Sequence, residues 1–231
     1  MIYKVASTFS DVLDAWSLVY RQYHQAGLIQ SNEYDIFTFP EYLSNNSAVI
    51  VGKENNHTVC TISAVIDGVN KLPLENYYGD ELNRMRDEGK KLIEIGLHAD
   101  SRGRSNIADI TNLMAGIARF GVQSEHHDFV IGVHPKRAAF YEAMFGFKPV
   151  GPVKNYNKLD TAPVILLHAC GTNPAVSSLY INNKIYTDPA GFDFSKRFKF
   201  NPHNMISKQE LHESVENFFK TIWTSKVPKA A

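Results

Sequence analysis

The sequence has few cysteines, no long apolar run and no net charge, and each absence excludes a class of protein. Its two cysteines, Cys60 and Cys170, lack the spacing of a metal or redox site and lie in or beside apolar runs. We therefore expect buried thiols in a reducing compartment. No apolar run approaches the ~20 residues of a membrane span. With 24 basic and 24 acidic residues, the formal net charge of zero offers nucleic acid or an anionic membrane no bulk attraction.

No basic segment followed by an apolar core opens the chain, so no signal peptide is predicted. The expectation is a soluble cytoplasmic protein without nucleic-acid or integral membrane contact, and nothing in the sequence indicates a metal site. A chain of 231 residues with 44% hydrophobic residues fits one large domain or one domain with an extension.

Hydrophobic periodicity predicts alternating strands and helices up to about residue 170. Strands are predicted at 2–6, 48–52, 59–66, 92–99, 130–133, 148–153 and 163–169, and helices at 10–27, 80–88, 110–122 and 135–146. The segment 28–39 is predicted as an irregular helix or a folded loop, and the 67–91 insert as a cover for a site. Residues 171–231 form a predicted extension that ends in an amphipathic helix beginning near Ser207. The order predicts a mixed, mostly antiparallel α/β sheet flanked by helices.

The stretch 130–147 carries the first resemblance to a known family. A short apolar strand precedes Pro135, which suits a first helical position, and Gly146 follows the helix as a left-handed stop. Phe140 with Met144, and Tyr141 with Phe145, are predicted to form an inward stripe. This strand–helix–stop pattern resembles the Gcn5-related N-acetyltransferase (GNAT) superfamily, and the summed element order agrees with it over residues 2–170. The resemblance implies that Tyr141 lies beside the thioester sulfur of an acyl donor.

Further motifs resemble a narrower group, the FeeM-like long-chain N-acyl amino acid synthases, which are distant relatives of the acyl-homoserine lactone synthases. The motifs are Ala15-Trp16-x-x-Val19-Tyr20-x-x-Tyr23 through Gly27-Leu28, Thr38-x-Pro40, Leu72-Pro73-Leu74, Glu94-Ile95-Gly96-Leu97 and Val133-His134-Pro135-x-x-x-x-Phe140-Tyr141. This resemblance implies transfer of a fatty acyl group from acyl carrier protein to the α-amino group of an amino acid. The homoserine lactone synthases carry a glutamate followed closely by an arginine on this strand. Glu94 is followed by Ile, Gly and Leu instead, so we do not predict a lactone product.

Three residues are candidates for the chemistry. Glu94 interrupts an apolar strand and, with a pKa raised by burial, is the candidate general base; a structural carboxylate paired with an arginine is the alternative. On a regular strand His98 shares the face of Glu94, while Leu97 joins Ile93 and Ile95 on the other. His98 is thus either the base or a hydrogen-bonded histidine at the strand end. Tyr141 is the candidate proton donor to the departing sulfur, with a core aromatic as the alternative.

The family's phosphate loop is degenerate here, since Asp100 replaces the usual Arg or Gln and only Gly103 stays in register. A carrier protein presents only a phosphopantetheine arm and does not need the full loop. The resemblance implies that a strand bulge lets the arm pair with the central strand. The candidate donor contacts are Gly96, Leu97, Arg102, Gly103, Arg104 and Ser105. Arg102, Arg104, Lys136 and Arg137 are a candidate basic patch for an acidic carrier protein, with ordinary solvated surface charges as the alternative.

An apolar tunnel for the acyl chain has Phe120, Phe140, Met144 and the Leu72–Leu74 loop as candidate lining, with ordinary core packing as the alternative. For the amino acid acceptor, the candidates that flank the expected cleft are Tyr20, Arg21, Tyr23, Tyr34, Phe37 and, from the acyl side, Phe140. Arg21 is the candidate partner of the acceptor carboxylate.

Two other functions are alternatives to acyl transfer from acyl carrier protein. One is a small-molecule N-acetyltransferase that uses acetyl-CoA, and the other is a non-catalytic GNAT scaffold that binds a lipid or partner. No tightly bound cofactor is predicted, and the donor is acyl-phosphopantetheine or acyl-CoA. The C-terminal helix is expected to pack on the domain or on a second subunit, so a homodimer also stays open.

Overall fold

The computed structural model describes residues 1–68, 71–102, 106–156, 162–181 and 192–199. The strands are β1 (Ile2–Val5), β2 (Ser47–Glu54), β3 (His57–Ile66), β4 (Leu92–Asp100), β5 (Asp128–Val133), β6 (Lys148–Pro149), β7 (Lys154–Tyr156) and β8 (Ala162–Cys170). The helices are α1 (Phe9–Gln25), α2 (Glu75–Asp87), α3 (Ile107–Gln123), α4 (Pro135–Phe145) and α5 (Pro174–Ile181), with short 3₁₀ turns at Pro40–Leu43 and Phe194–Lys196. The predicted C-terminal helix near Ser207 lies outside the described residues.

The described strands form one sheet in the order β1-β2-β3-β4-β5-β8-β6, with β7 pairing to β8. Every pair is antiparallel except β4 with β5. That parallel pair is joined through α3, because parallel neighbours need a crossover connection. The predicted mixed, mostly antiparallel sheet flanked by helices is confirmed.

Each face of the sheet carries its own core. On one face α1 and α2 pack through fully buried side chains such as Trp16 and Tyr78. On the other, α3 and α4 pack through Phe120 and Phe145. Within the predicted C-terminal extension, Phe192 and other described apolar residues belong to this second core, so the extension packs on the domain over these residues.

Several predicted boundaries were wrong for local reasons. Helix α1 begins earlier than the predicted residue 10, because the N-cap is Thr8, whose hydroxyl accepts from the Asp11 N–H at 3.1 Å. Ser10, at the predicted start, is also a residue type that suits an N-cap. Helix α2 likewise begins at Glu75, with a kink at Tyr78, instead of near residue 80. Strands β2 and β3 extend beyond their predicted ends at residues 52 and 59, because the hairpin turn is confined to Asn55 and Asn56, both at positive φ.

Residues 28–39 are a loop rather than a helix, tied to α1 where the Phe37 N–H donates to the Trp16 carbonyl at 3.3 Å. Met144 is exposed on α4, so it does not belong to the inward stripe, whereas Tyr141 and Phe145 are buried. Cys60 is buried as predicted, but Cys170, the last residue of β8, is only half-buried. No helix in the part of the chain that the structure describes is long and apolar enough to cross a membrane.

An ion triplet around one buried carboxylate fastens α1 to the sheet. The Asp11 carboxylate accepts hydrogen bonds from Lys4 Nζ at 2.7 Å and Lys53 Nζ at 2.5 Å. Burial alone would raise the pKa of Asp11, but the two ammonium groups outweigh it and lower the pKa to about 2.

Candidate active site

The parallel strands β4 and β5 separate halfway along their length. They pair from Leu92–Asp128 to Ile95–Ile131. Beyond that point β4 continues only with β3, as far as Asp100, and β5 continues only with β8, as far as Val133. The facing backbone edges of the two strands are therefore not paired with each other where they diverge, and a cleft opens between them.

A bulge in β4 marks the point of divergence. Leu97 has φ +51°, and the β3–β4 register shifts between Thr61 and Ser63. One extra residue reverses the alternation of side chains beyond it. Leu97 consequently packs with Leu92 in the first core, not with Ile93 and Ile95 in the second. His98 then points to the face opposite Glu94, so the predictions of a shared His98–Glu94 face and of Leu97 beside Ile93 were wrong.

The cleft holds a pocket of about 260 Å³ that draws side chains from both faces of the sheet. His98, Tyr141 and Phe140 line it beside the bulge, and Tyr156, the last residue of β7, lines it as well. The remaining lining that bears on the chemistry consists of Tyr23, Leu28, Gly96, Leu97, His134 and Arg137.

His98 and Tyr141 are both neutral in this pocket at neutral pH. Burial lowers the pKa of His98 to about 4, with Arg137 adding to the effect and Asp100 opposing it. Burial raises the pKa of Tyr141 to about 12, although the positive charge of Arg137 opposes the rise. A neutral imidazole can accept a proton and a neutral phenol can donate one, which is the pair of functions that acyl transfer to an amine requires.

Glu94 lies behind the pocket rather than in its lining. It is 3% exposed, and its Oε2 accepts the Leu74 N–H at 2.9 Å, at the N-terminus of α2. The positive end of that helix favours a carboxylate there. Burial, and after it the Glu94 charge, raises the pKa of Tyr42 and of Tyr156, so both phenols lie near Glu94. Tyr156 therefore lies near Glu94 and also lines the pocket.

Gly96 accommodates a tyrosine. A Cβ at this position would collide with the hydroxyl of Tyr42. Tyr42 is fully buried, and among the described residues its hydroxyl has no hydrogen-bond partner. The glycine therefore lets the Tyr42 ring reach the bulge of β4.

The segment after β4 is held to α3 by arginine. Asp100 accepts from the N–H of Arg102 at 2.9 Å and from its Nε at 3.4 Å, and the same guanidinium pairs with Asp109, which also accepts the Tyr3 hydroxyl. Arg102 thus faces two carboxylates of its own chain. The other predicted donor contacts in this loop, Gly103, Arg104 and Ser105, lie outside the described residues.

The predicted acceptor residues do not all meet at the pocket. Tyr23 and Phe140 line it, whereas Tyr20, Arg21, Tyr34 and Phe37 do not. Tyr20 is buried and its hydroxyl accepts from the Asn32 N–H at 3.4 Å, and Phe37 packs on the Tyr23 ring at 5.6 Å. Arg21 is exposed on α1.

The predicted acyl-tunnel residues are also divided. Phe120 packs on Phe194 at 5.0 Å in the second core and does not line the pocket. Leu74, from the insert, lies close to Gly132 of β5, so the insert covers the first face of the sheet next to the cleft. Tyr156 and His134 are pocket residues that sequence reasoning missed as candidates. Tyr156 lies between the predicted strands 148–153 and 163–169, where no site residue was expected, and His134 was noted only as part of a motif.

The model of the family "N-acyl amino acid synthase FeeM" matches residues 14–170. The solved structure of FeeM, an N-acyl amino acid synthase from uncultured soil microbes, aligns at TM-score 0.65 and 22% identity, over 75% of this chain and 97% of that one. The acyl-homoserine lactone synthase LasI aligns at TM-score 0.59 and 15% identity, over 81% and 98% of the two chains.

A third structure, the CoA-dependent acyl-homoserine lactone synthase BjaI, aligns at TM-score 0.53 and 13% identity, over 78% of this chain and 89% of that one. At these identities the solved structures establish the GNAT-like fold. The comparison with curated proteins found no match. The family model covers more than half of the chain, and on that basis the chain belongs to the FeeM family of N-acyl amino acid synthases and is an acyltransferase.

Proposed function

We propose that this acyltransferase moves a long-chain fatty acyl group from the phosphopantetheine arm of acyl carrier protein to the α-amino group of an amino acid. The observation that carries the proposal is the cleft between β4 and β5, where a histidine and a tyrosine, both neutral, meet at a bulge with free backbone edges. Membership of the N-acyl amino acid synthase family supports the product class.

The donor arm is proposed to enter the cleft as an additional strand. The amide groups of a pantetheine arm can pair with the backbone of residues 96–98, in the manner of a peptide added to a sheet edge. A carrier protein fits better than coenzyme A, because Asp100 stands where the superfamily has Arg or Gln. In addition, the Arg102 side chain is already paired with Asp100. A nucleotide pyrophosphate at this edge would meet that carboxylate.

The reaction forms one C–N bond and breaks one C–S bond. The amine nitrogen attacks the thioester carbonyl carbon, and the sulfur leaves with the electron pair of the C–S bond. Tyr141 is proposed to donate its proton to that sulfur. His98 is proposed to take the proton that the nitrogen loses; its low pKa suffices because nitrogen in the tetrahedral adduct is more acidic than a free ammonium. Transfer of that proton from His98 to the Tyr141 phenolate then restores both neutral groups.

Glu94 is the second proposed proton acceptor. Since it lies behind the pocket, it would act through the Tyr156 hydroxyl rather than by touching the amine. The two proposals differ in kinetics. If His98 receives the proton, His98→Gln lowers kcat far more than Glu94→Gln; if the carboxylate receives it, the order is reversed. Both variants should remain folded, and circular dichroism checks this.

The test is turnover by the purified protein with palmitoyl-acyl carrier protein and a panel of amino acids, followed by mass spectrometry. The expected result is an N-palmitoyl amino acid and one equivalent of free thiol, with little product from palmitoyl-CoA. Acetylation of amines from acetyl-CoA, without any long-chain product, would contradict the proposal and favour a small-molecule acetyltransferase.

A further inference from the structure

One cation of α4 faces the pocket with no acidic neighbour there. Arg137 lies one helical turn before Tyr141, so the two side chains share a face of the helix. Both line the pocket with His98. Arg137 is exposed, and among the described residues its guanidinium makes no ion pair. No Asp or Glu is among the described residues that line the pocket.

The guanidinium lies near the reacting groups. Burial is the largest cause of each pKa shift. Next, the Asp100 charge raises the pKa of His98 and the Arg137 charge lowers it, and the Arg137 charge also lowers the pKa of Tyr141. An anion held by Arg137 would therefore lie close to the site of proton transfer. This restricts which anionic group of the two substrates it can bind.

The two substrates carry anionic groups at different distances from the reacting atoms. In an amino acid, a single carbon separates the carboxylate from the nucleophilic amine. In the donor, the phosphate lies a whole pantetheine arm away from the thioester. We propose that Arg137 binds the α-carboxylate of the amino acid acceptor and so selects acceptors with a free carboxylate. The proposal rests on the proposed function, and it replaces Arg21, which does not line the pocket, in that role.

The expected effect follows from the chemistry of the pair. A guanidinium can hold a carboxylate through two parallel hydrogen bonds, which a lysine cannot reproduce. Loss of hydrogen bonds to a charged group corresponds to roughly a 10–100-fold loss of affinity. Arg137→Gln should therefore raise KM for the amino acid roughly 10–100-fold, while kcat changes little. Arg137→Lys should fall between the two proteins.

The experiment compares each amino acid with its carboxamide, at saturating acyl donor. The wild type should prefer the free acid, and Arg137→Gln should lose this preference because KM for the carboxamide stays the same. Arg84→Gln removes the same charge from an exposed site on α2 and is the matched control. Arg21→Gln tests the rival residue directly.

Three results would overturn the inference. One is an equal rise in KM for both acceptors in Arg137→Gln. Another is a rise in KM for the acyl donor instead, which would place the phosphate at Arg137. The third is loss of the preference in Arg21→Gln and not in Arg137→Gln. Calorimetric binding of an N-palmitoyl amino acid and of its carboxamide gives a readout independent of turnover. A wild type that forms no product would refute the proposed function. Even then, the inference would be supported if Arg137→Gln weakened binding of the N-palmitoyl amino acid and left binding of its carboxamide unchanged.

Discussion

Replacing Gly96 by alanine should destabilise the protein through Tyr42 and through no other residue. The backbone of Gly96 does not have positive φ, so alanine suits its conformation. The new Cβ would overlap the Tyr42 hydroxyl, while the next nearest atom, Cζ of the same ring, lies at an ordinary 3.4 Å. Because Tyr42 is fully buried, the ring cannot withdraw without displacing the core.

The magnitude can be worked out from these contacts. Overpacking of a filled core costs about 1–3 kcal/mol, and the lower entropy of the unfolded alanine chain returns about 0.4–1 kcal/mol. A net loss of about 1–2 kcal/mol is expected for Gly96→Ala. Tyr42→Phe alone should be nearly neutral, since the hydroxyl it removes has no hydrogen-bond partner among the described residues. The double variant should return to the stability of Tyr42→Phe, a coupling of about 1–2 kcal/mol.

Urea unfolding followed by circular dichroism measures all four proteins, and an unchanged m-value shows that the comparison is one of stability. Additive losses, with Gly96→Ala equally costly in the Tyr42→Phe background, would refute the steric reasoning. The acyl-donor KM of the double variant answers a separate question. If stability recovers and KM stays raised, the pantetheine arm itself needs the glycine.

Three further predictions concern single side chains. Tyr141→Phe should lower kcat roughly 10²–10⁴-fold with the thermal midpoint retained, and an aryl thioester, whose sulfur needs no proton to leave, should restore turnover. Because the folded-state pKa of His98 is about 4, below the usual value, the unfolded chain binds more protons. The wild type should therefore lose up to about 2.5 kcal/mol as pH falls from about 6.5 to 4, and His98→Gln should lose less over that window in urea titrations. Asp11→Asn should cost about 2–3 kcal/mol because it leaves two lysine ammonium groups without their carboxylate, whereas exposed Asp14→Asn should change thermal stability by less than about 0.5 kcal/mol.

Local features were predictable from local chemistry. Helix α4 begins at Pro135 and is followed by Gly146 at φ +69°, as predicted, because proline at the first helical position and glycine in the left-handed stop act within a few residues. Up to α4 the order of strands and helices followed from hydrophobic periodicity in the same way. Beyond it the predicted strand 148–153 was wrong, because only Lys148–Pro149 pairs with β8 there, and β7 and α5 were not predicted. Boundary errors arose where two capping residues compete, as with Thr8 and Ser10, since either hydroxyl suits an N-cap.

The site depends on contacts between distant parts of the chain. The amino-acid sequence by itself determined that Tyr141 lies on the inward face of a helix and that Glu94 lies on a buried strand. Only the tertiary structure placed Leu97 in a bulge, because a bulge depends on the register of β3, some 35 residues earlier in the chain. That bulge moved His98 to the opposite face from Glu94. The same long-range packing brought Tyr42 against Gly96, and Tyr156 and Arg137 into one pocket, since side chains far apart in sequence meet only when the sheet is assembled.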